Sequence, residues 1–322
     1  MTGPTTLMHN IRLFTTTGAL ALVTLLATVP ASAANASQAP PSTITYTVPG
    51  DRLFLEGVDT IGNTFYTTSL GNGAVFRGQL GDTDSAEVFL PAGADGRTSA
   101  NGIKATDKLL IVAGGTTGKL FIYDRQSAKL LAIHTVSGSG DTFVNDVTLT
   151  PKGDLYVTDS SRDVVYRVNK TDITRNSTLR VFSSFAGVDP KGAFNANGVI
   201  AVSQRYLVVV QTDTGKLYRV ATKDGSISRI NTGGATVTGG DGLEVKGRTL
   251  YVVRNAAAVI TKLKLAGNLV SGQVVSERTD PSFRFPTTAS LHDGRLLIVN
   301  GQLDKLGGGS LEPFTLTDLK IA

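Results

Sequence analysis

The sequence predicts an all-β fold: a six-bladed β-propeller with four-stranded antiparallel blades. Three observations point to it. A strand-rich unit recurs six times, roughly every 45 residues. Within each unit the apolar positions alternate with period two, which excludes a helical solenoid of period 3.6. Gly is abundant at 36 residues among many β-branched positions, a composition of short strands joined by tight turns.

Each unit opens on a polar anchor and runs into a hydrophobic strand nine or ten residues later. The units are Glu56-Gly57 leading to Phe65-Tyr66-Thr67-Thr68, Asn101-Gly102 to Leu110-Ile111-Val112-Ala113, and Asn145-Asp146 to Leu155-Tyr156-Val157-Thr158. Asn197-Gly198 leads to Leu207-Val208-Val209-Val210, Asp241-Gly242 to Leu250-Tyr251-Val252-Val253, and a weaker sixth unit runs from Thr287-Thr288 to Leu297-Ile298-Val299. A Gly precedes the second strand in four units (Gly62, Gly153, Gly247 and Gly294), as a hairpin turn requires. Third strands follow, such as Lys119–Tyr123 and Lys216–Val220. Fourth strands are expected at 86–90, 130–135, 179–182 and 226–230. A ring of blades with open ends would leave unpaired strand edges. Thr43–Val48 and Phe314–Ile321 are therefore expected to share one blade and close the ring.

The N-terminus reads as a separate element. Arg12 precedes an apolar stretch from Leu13 to Val29, which ends in Pro30-Ala31-Ser32-Ala33. This is the pattern of a secretory signal peptide over residues 1–33, with cleavage after Ala33. Residues 34–42 read as a flexible leader and 43–322 as a single propeller domain. The expected product is secreted or periplasmic and takes a small-molecule ligand, with no membrane attachment after signal removal. There is no Cys, so a disulfide framework and thiolate chemistry are excluded. The net charge of +5 is scattered, without basic runs interleaved with aromatics, so nucleic acid is not an expected partner.

Equivalent slots in a ring converge near its axis. Glu56, Asn101, Asn145, Asn197 and Asp241 are thus expected together at one mouth of the central channel. A lone Asn or Asp in such a slot commonly caps a turn. Two carboxylates facing one channel, however, repel unless a cation sits between them. Carboxylate and amide oxygens without His or Cys suit a hard divalent cation, Ca2+ before Mg2+, and not zinc.

These residues resemble the senescence-marker-protein, gluconolactonase and luciferin-regenerating-enzyme family of six-bladed propellers. Glu56-Gly57 with Asp59 and Gly62-Asn63-Thr64-Phe65-Tyr66 is similar to that family's first-blade segment. Asn145-Asp146, Asn197-Gly198-Val199 and Asp241-Gly242-Leu243 are similar to its later blade motifs. The resemblance implies Glu56, Asn197 and Asp241 as cation ligands, Asn145 beside metal and substrate, and Asp241 as general base in lactone or ester hydrolysis. Asn101, the remaining ring amide, is assigned with Asn145 to the substrate. The chain departs from the family at Val58, which replaces a Pro. It also departs at Phe143-Val144, where the family carries a basic residue, and at Thr287-Thr288 in the sixth unit. The substrate is therefore left open. So is an alternative function: a non-catalytic propeller that binds a small ligand or a protein on the same face.

Other signals fall away. Gly114–Lys119 lacks the Gly at 113 and the Ser or Thr at 120 of a phosphate loop. His134 and His292 lie outside any Gly-x-Ser-x-Gly setting; the first is expected at the surface or in packing, the second beside a turn. Asn35, Asn169 and Asn176 open glycosylation sequons.

Overall fold

The computed structural model describes residues 43–138, 140–188 and 194–321. The signal peptide and leader expected over residues 1–42, including the sequon at Asn35, lie outside them. Among the described residues no helix is long and apolar enough to cross a membrane.

Strand β1 is Thr43–Val48. Next come β2 (Leu55–Ile61), β3 (Thr64–Ser69), β4 (Val75–Gln79) and β5 (Glu87–Leu90), a four-stranded antiparallel sheet in sequence order. β6 (Ile103–Ala105), β7 (Leu109–Ala113), β8 (Lys119–Asp124) and β9 (Leu130–Val136) repeat the pattern, as do β10 (Val144–Leu149), β11 (Leu155–Asp159), β12 (Val164–Val168) and β13 (Ser177–Ser184). β14 (Ala196–Ala201), β15 (Tyr206–Gln211), β16 (Lys216–Ala221) and β17 (Ile227–Arg229) make the next sheet. It is followed by β18 (Gly240–Lys246), β19 (Thr249–Arg254), β20 (Val259–Leu265) and β21 (Gly272–Arg278). β22 (Pro286–His292), β23 (Arg295–Asn300) and β24 (Phe314–Lys320) complete the chain.

The last sheet has the order β1-β24-β23-β22, so both termini share it, with Thr43 opposite Leu319 and Val48 opposite Phe314. This is the closure expected from the sequence. β1 also reaches the sheet of β2–β5. Thr47 N–H donates to Thr83 O, and the Tyr46 hydroxyl accepts from Gly81 N–H at 2.8 Å. Tyr46 meets Phe65 edge to face at 5.4 Å.

The sheets differ from separate blades at one place. β6–β9 and β10–β13 are fused into one eight-stranded sheet by a short parallel pairing of β13 with β9, Ser177–Leu179 against His134–Val136. The cause is local. Asn176 Oδ1 accepts from Ile133 N–H, and the buried His134 ring binds Ser177 Oγ and Ile173 O. Of the two expectations for His134, packing is the one observed. Burial holds its pKa below the usual histidine value.

The recurring Gly after the anchor has a physical reason. A Cβ on Gly57 would lie 2.5 Å from Asn101 O, one on Gly102 2.7 Å from Asn145 O, and one on Gly198 2.0 Å from Asp241 O. The inner strands approach too closely there for any side chain. Hydroxyls and amides then staple each inner strand to the next. Thr68 Oγ1 donates to Asn101 O (2.6 Å), Gly102 N–H to Asn145 O (2.8 Å) and Thr158 Oγ1 to Asn197 O (2.6 Å). Thr212 Oγ1 donates to Gly240 O (2.8 Å), Asn255 Nδ2 to Pro286 O (2.7 Å) and Thr287 Oγ1 back to Glu56 O (2.7 Å). The chain of contacts returns to its start, so the sheets stand around a closed ring in a propeller-like arrangement. The apolar core lies between neighbouring sheets; one cluster joins Tyr46 and Val48 to Phe65, Phe76, Leu297 and Leu316.

Candidate functional site

The anchors sit on bulges. In β2, β10, β14, β18 and β22 the register shifts between the residue before the anchor and the residue two after it. Two residues then oppose one, which re-aims the anchor side chain out of the ladder. At Glu56 and Asn145 the opposing residue is a Thr: Thr68 Oγ1 accepts from Gly57 N–H and Thr158 Oγ1 from Asp146 N–H.

The anchors are linked at this end of the inner strands. Glu56, Asn101, Asn145, Asn197, Asp241 and Thr287 are all at most 4% exposed. Asn145 Nδ2 donates to Asn197 Oδ1 at 2.8 Å and to Ser160 Oγ at 2.9 Å. Ser160 Oγ itself donates to Ala196 O, so it accepts from Asn145 and the amide orientation is defined. Asn197 Nδ2 donates to Thr212 Oγ1 at 2.9 Å, and its side chain also bonds the Asp241 carboxylate. Asn255 Nδ2 donates to Asp241 Oδ2 at 2.7 Å. Donors thus run from Asn145 through Asn197 to Asp241, with Asn255 closing from the other side.

Three ring atoms are buried without a hydrogen-bond partner: Glu56 Oε2, Asn145 Oδ1 and Asn101 Nδ2. A buried polar atom left unpaired typically costs about 1–3 kcal/mol, and three of them fall on neighbouring anchors of the ring. Burial, then the Asp241 and Asp146 charges, hold the Glu56 carboxyl well above the usual carboxylate range. Burial pushes Asp241 up to about 7 against the opposing hydrogen bonds from Asn255 and Asn197. Among the described residues no group of three or more His, Cys, Asp or Glu is placed to hold a metal. The donor set here is instead two carboxylates plus amide oxygens, which fits a hard cation. Within the ligand set expected from the resemblance, Asn197 Oδ1 accepts from Asn145 and Asp241 Oδ2 from Asn255; outside that set, Asn145 Oδ1 is an amide oxygen without a partner.

A second polar layer lies further along the inner strands. Asp59, Lys104 and Glu244, each three residues after its anchor, and Asp146, one after Asn145, line a cavity of about 20 Å³ together with apolar residues of all the inner strands. That is room for about one water. Lys104 Nζ lies 2.9 Å from Asp59 Oδ1. Burial works against the Lys104 ammonium, but Asp59 and then Glu244 more than offset it, so its pKa stands above the usual range. Burial pushes Asp146 up to about 6 and Glu244 to about 7.

Just upstream of Asn145 and Asn197, Phe143 and Phe194 meet edge to face at 5.2 Å, both half-buried. Asp159 secures this approach by accepting from Phe143 N–H and the Tyr166 hydroxyl. Sequence reasoning missed the supporting residues Ser160, Thr212 and Asn255. Their signal is a shared one: each follows the second strand of its unit with a hydrogen-bonding side chain.

No known protein-family profile matches the sequence, and no curated protein matches it at a significant level. Structural likeness is widespread. Virginiamycin B lyase from Staphylococcus aureus superposes with a TM-score of 0.58 at 10% identity, covering 87% of this chain and 99% of that one. The Malassezia sympodialis allergen Mala s 1 gives 0.65 at 14% identity, covering 88% and 97%. The calcium-binding protein regucalcin from Agrobacterium tumefaciens gives 0.58 at 14%, covering 85% and 93%. At these identities the likeness establishes the propeller fold alone.

Proposed function

We propose that this chain is a six-bladed propeller whose anchor ring holds a divalent cation, Ca2+ first, and hydrolyses a lactone or ester there. The count of six takes the eight-stranded sheet as two blades joined at β9 and β13. The observation that carries the cation reading is the pair of unpaired buried acceptors, Glu56 Oε2 and Asn145 Oδ1, on the ring that also carries the Asp241 carboxylate. Glu56, Asn145 and Asp241 would hold the ion, with Asn197 supporting both neighbours. The calcium-binding description of regucalcin and the lyase activity in the name of virginiamycin B lyase support a reading in which this fold carries a functional site. The signal-peptide pattern of residues 1–33 supports a location outside the cytoplasm in this reading.

A bound cation supplies polarisation of the substrate carbonyl. The protein's own residues supply proton transfer and orientation. Without the cation, burial pushes the Asp241 carboxyl up to about 7; beside the cation it would be ionised at neutral pH and able to act as the general base. It takes a proton from water as the water oxygen bonds to the carbonyl carbon. It returns that proton to the leaving alkoxide when the C–O bond breaks, giving an acid and an alcohol. Asn197 and Asn255 hold its carboxylate in place. With Phe143 and Phe194 beside the ring and no basic group before Asn145, the site suits an uncharged, apolar substrate body. The near-complete burial of the anchors favours a second reading, in which the cation braces a non-catalytic binding face.

The cation reading has a stability test. Free carboxyls in the unfolded chain titrate near pH 4, whereas Asp146 and Asp241 are pushed up to about 6 and about 7. Folded-state pKa values raised in this way contribute stability that is fully present below about pH 4 and is lost as pH rises through about 7. Without divalent ions, Tm should fall between pH 5 and pH 8. Ca2+ at 100 times its Kd stabilises by about 2.7 kcal/mol, so Tm at pH 8 should rise by roughly 5–10 °C, and much less at pH 5. No Ca2+ effect at pH 8 would falsify the cation site.

A further inference from the structure

We propose that Asn101 is the oxyanion donor of the ring: its Nδ2–H donates to the carbonyl oxygen of the acyl substrate as that oxygen gains charge. This deepens, and rests on, the hydrolase reading above.

Asn101 lies between Glu56 and Asn145 in the ring. Its carbonyl accepts from Thr68 Oγ1, which also accepts from Gly57 N–H, and Gly102 N–H donates to Asn145 O. The Asn101 side chain is 0% exposed. Ser99 Oγ donates to its Oδ1 at 3.2 Å, and a Cβ on Gly115 would stand 2.7 Å from the same oxygen. The oxygen side of the amide is therefore boxed in, and the NH2 faces away from Ser99 and Gly115.

That NH2 has no partner, and the flanking Glu56 Oε2 and Asn145 Oδ1 have none either. A donor and two acceptors on adjacent ring positions would satisfy one another if they were within reach. All three being unpaired implies a gap between them. A cation meets the two acceptors and can do nothing for the donor. The complete ligand must therefore bring an acceptor oxygen as well as the positive charge, and a carbonyl oxygen polarised beside the ion is such a group. When water adds, the C=O electron pair moves onto this oxygen, and Asn101 Nδ2–H meets the new charge. The pair moves back as the alkoxide departs.

The test uses the mature protein with Ca2+ and two isolated variants, Asn101→Ala and the near-isosteric Asn101→Asp, which keeps the volume and removes the donor. Phenyl acetate and δ-valerolactone report turnover. A methyl alkylphosphonate, a stable tetrahedral oxyanion, reports binding by calorimetry. The expected result is a loss of about 10²–10³-fold in kcat in both variants, a matching loss of phosphonate affinity, and little change in KM. In Asn101→Ala the Ca2+ affinity should stay within about threefold, because no cation ligand has been removed. Unchanged kcat and phosphonate affinity in both variants overturn the assignment. So does a parallel loss of Ca2+ affinity and Tm, which marks a structural residue. If the parent protein binds Ca2+ but turns over neither ester, the hydrolase reading fails separately, and the donor assignment is then decided by phosphonate affinity alone.

Discussion

Replacing Tyr46 with alanine lowers Tm by roughly 10 °C, and deleting residues 43–48 prevents stable folding. Tyr46 and Val48 are 1% and 0% exposed. They fill the gap between the last sheet and the first, against Phe65, Phe76, Leu297, Val299 and Leu316. Truncating a large buried aromatic typically costs about 3–5 kcal/mol, and each kcal/mol moves Tm by roughly 2–4 °C in a domain of this size. The variant also loses the acceptor for Gly81 N–H. Deletion adds an unpaired edge along all of β24, whose Phe314–Leu319 register with β1 is then empty. Total stabilities are about 5–15 kcal/mol, so the combined loss is comparable to the whole. Thermal unfolding followed by circular dichroism measures it. A Tyr46→Ala protein melting within 2 °C of the parent, against the roughly 10 °C expected, would show that the termini do not close the ring.

Asp241→Asn should abolish hydrolysis and weaken Ca2+ binding by at least about 100-fold, because it removes both the proton acceptor and one of the two ring carboxylates. Its effect on cation-free stability should have the opposite sign from an ordinary buried substitution. Burial and the Asp146 charge both act against an ionised Asp241, so a neutral amide there relieves a desolvated charge. At pH 8 without divalent ions, the variant should melt no lower than the parent. Calorimetric Ca2+ titration and a melt on one preparation separate the two effects. Retained Ca2+ affinity would remove Asp241 from the ligand set. A lower cation-free Tm would instead mean that the carboxylate braces the fold.

Much of the ring was legible in the sequence because a repeat reports both a shape and a slot. Thr43–Val48 and Phe314–Lys320 pair as the closure argument required. The fourth strands fall within a few residues of their expected places; β17, for example, is Ile227–Arg229. The glycine after four of the six anchors was visible as a motif, and its cause, close contact between inner strands, emerged only in three dimensions. Periodicity says which face a side chain takes but not which partner it finds. That is why Asn197 was expected to offer an oxygen that in fact accepts from Asn145. The fusion of β9 to β13 was hidden for a similar reason: it depends on Asn176 and His134 meeting across two units. The layer of Asp59, Lys104 and Glu244 at the third position after the anchors was readable as a register, yet its charges carry weight only once burial is known.

The most direct measurement is a crystal structure of the protein grown with millimolar Ca2+. The account predicts one strong peak inside the anchor ring, bound by Glu56 Oε2, Asn145 Oδ1 and an Asp241 oxygen at about 2.3–2.6 Å, with Asn101 Nδ2 facing an oxygen of water or ligand beside it. A ring without the ion, or an ion bound instead at the Asp146 and Glu244 layer, would contradict it.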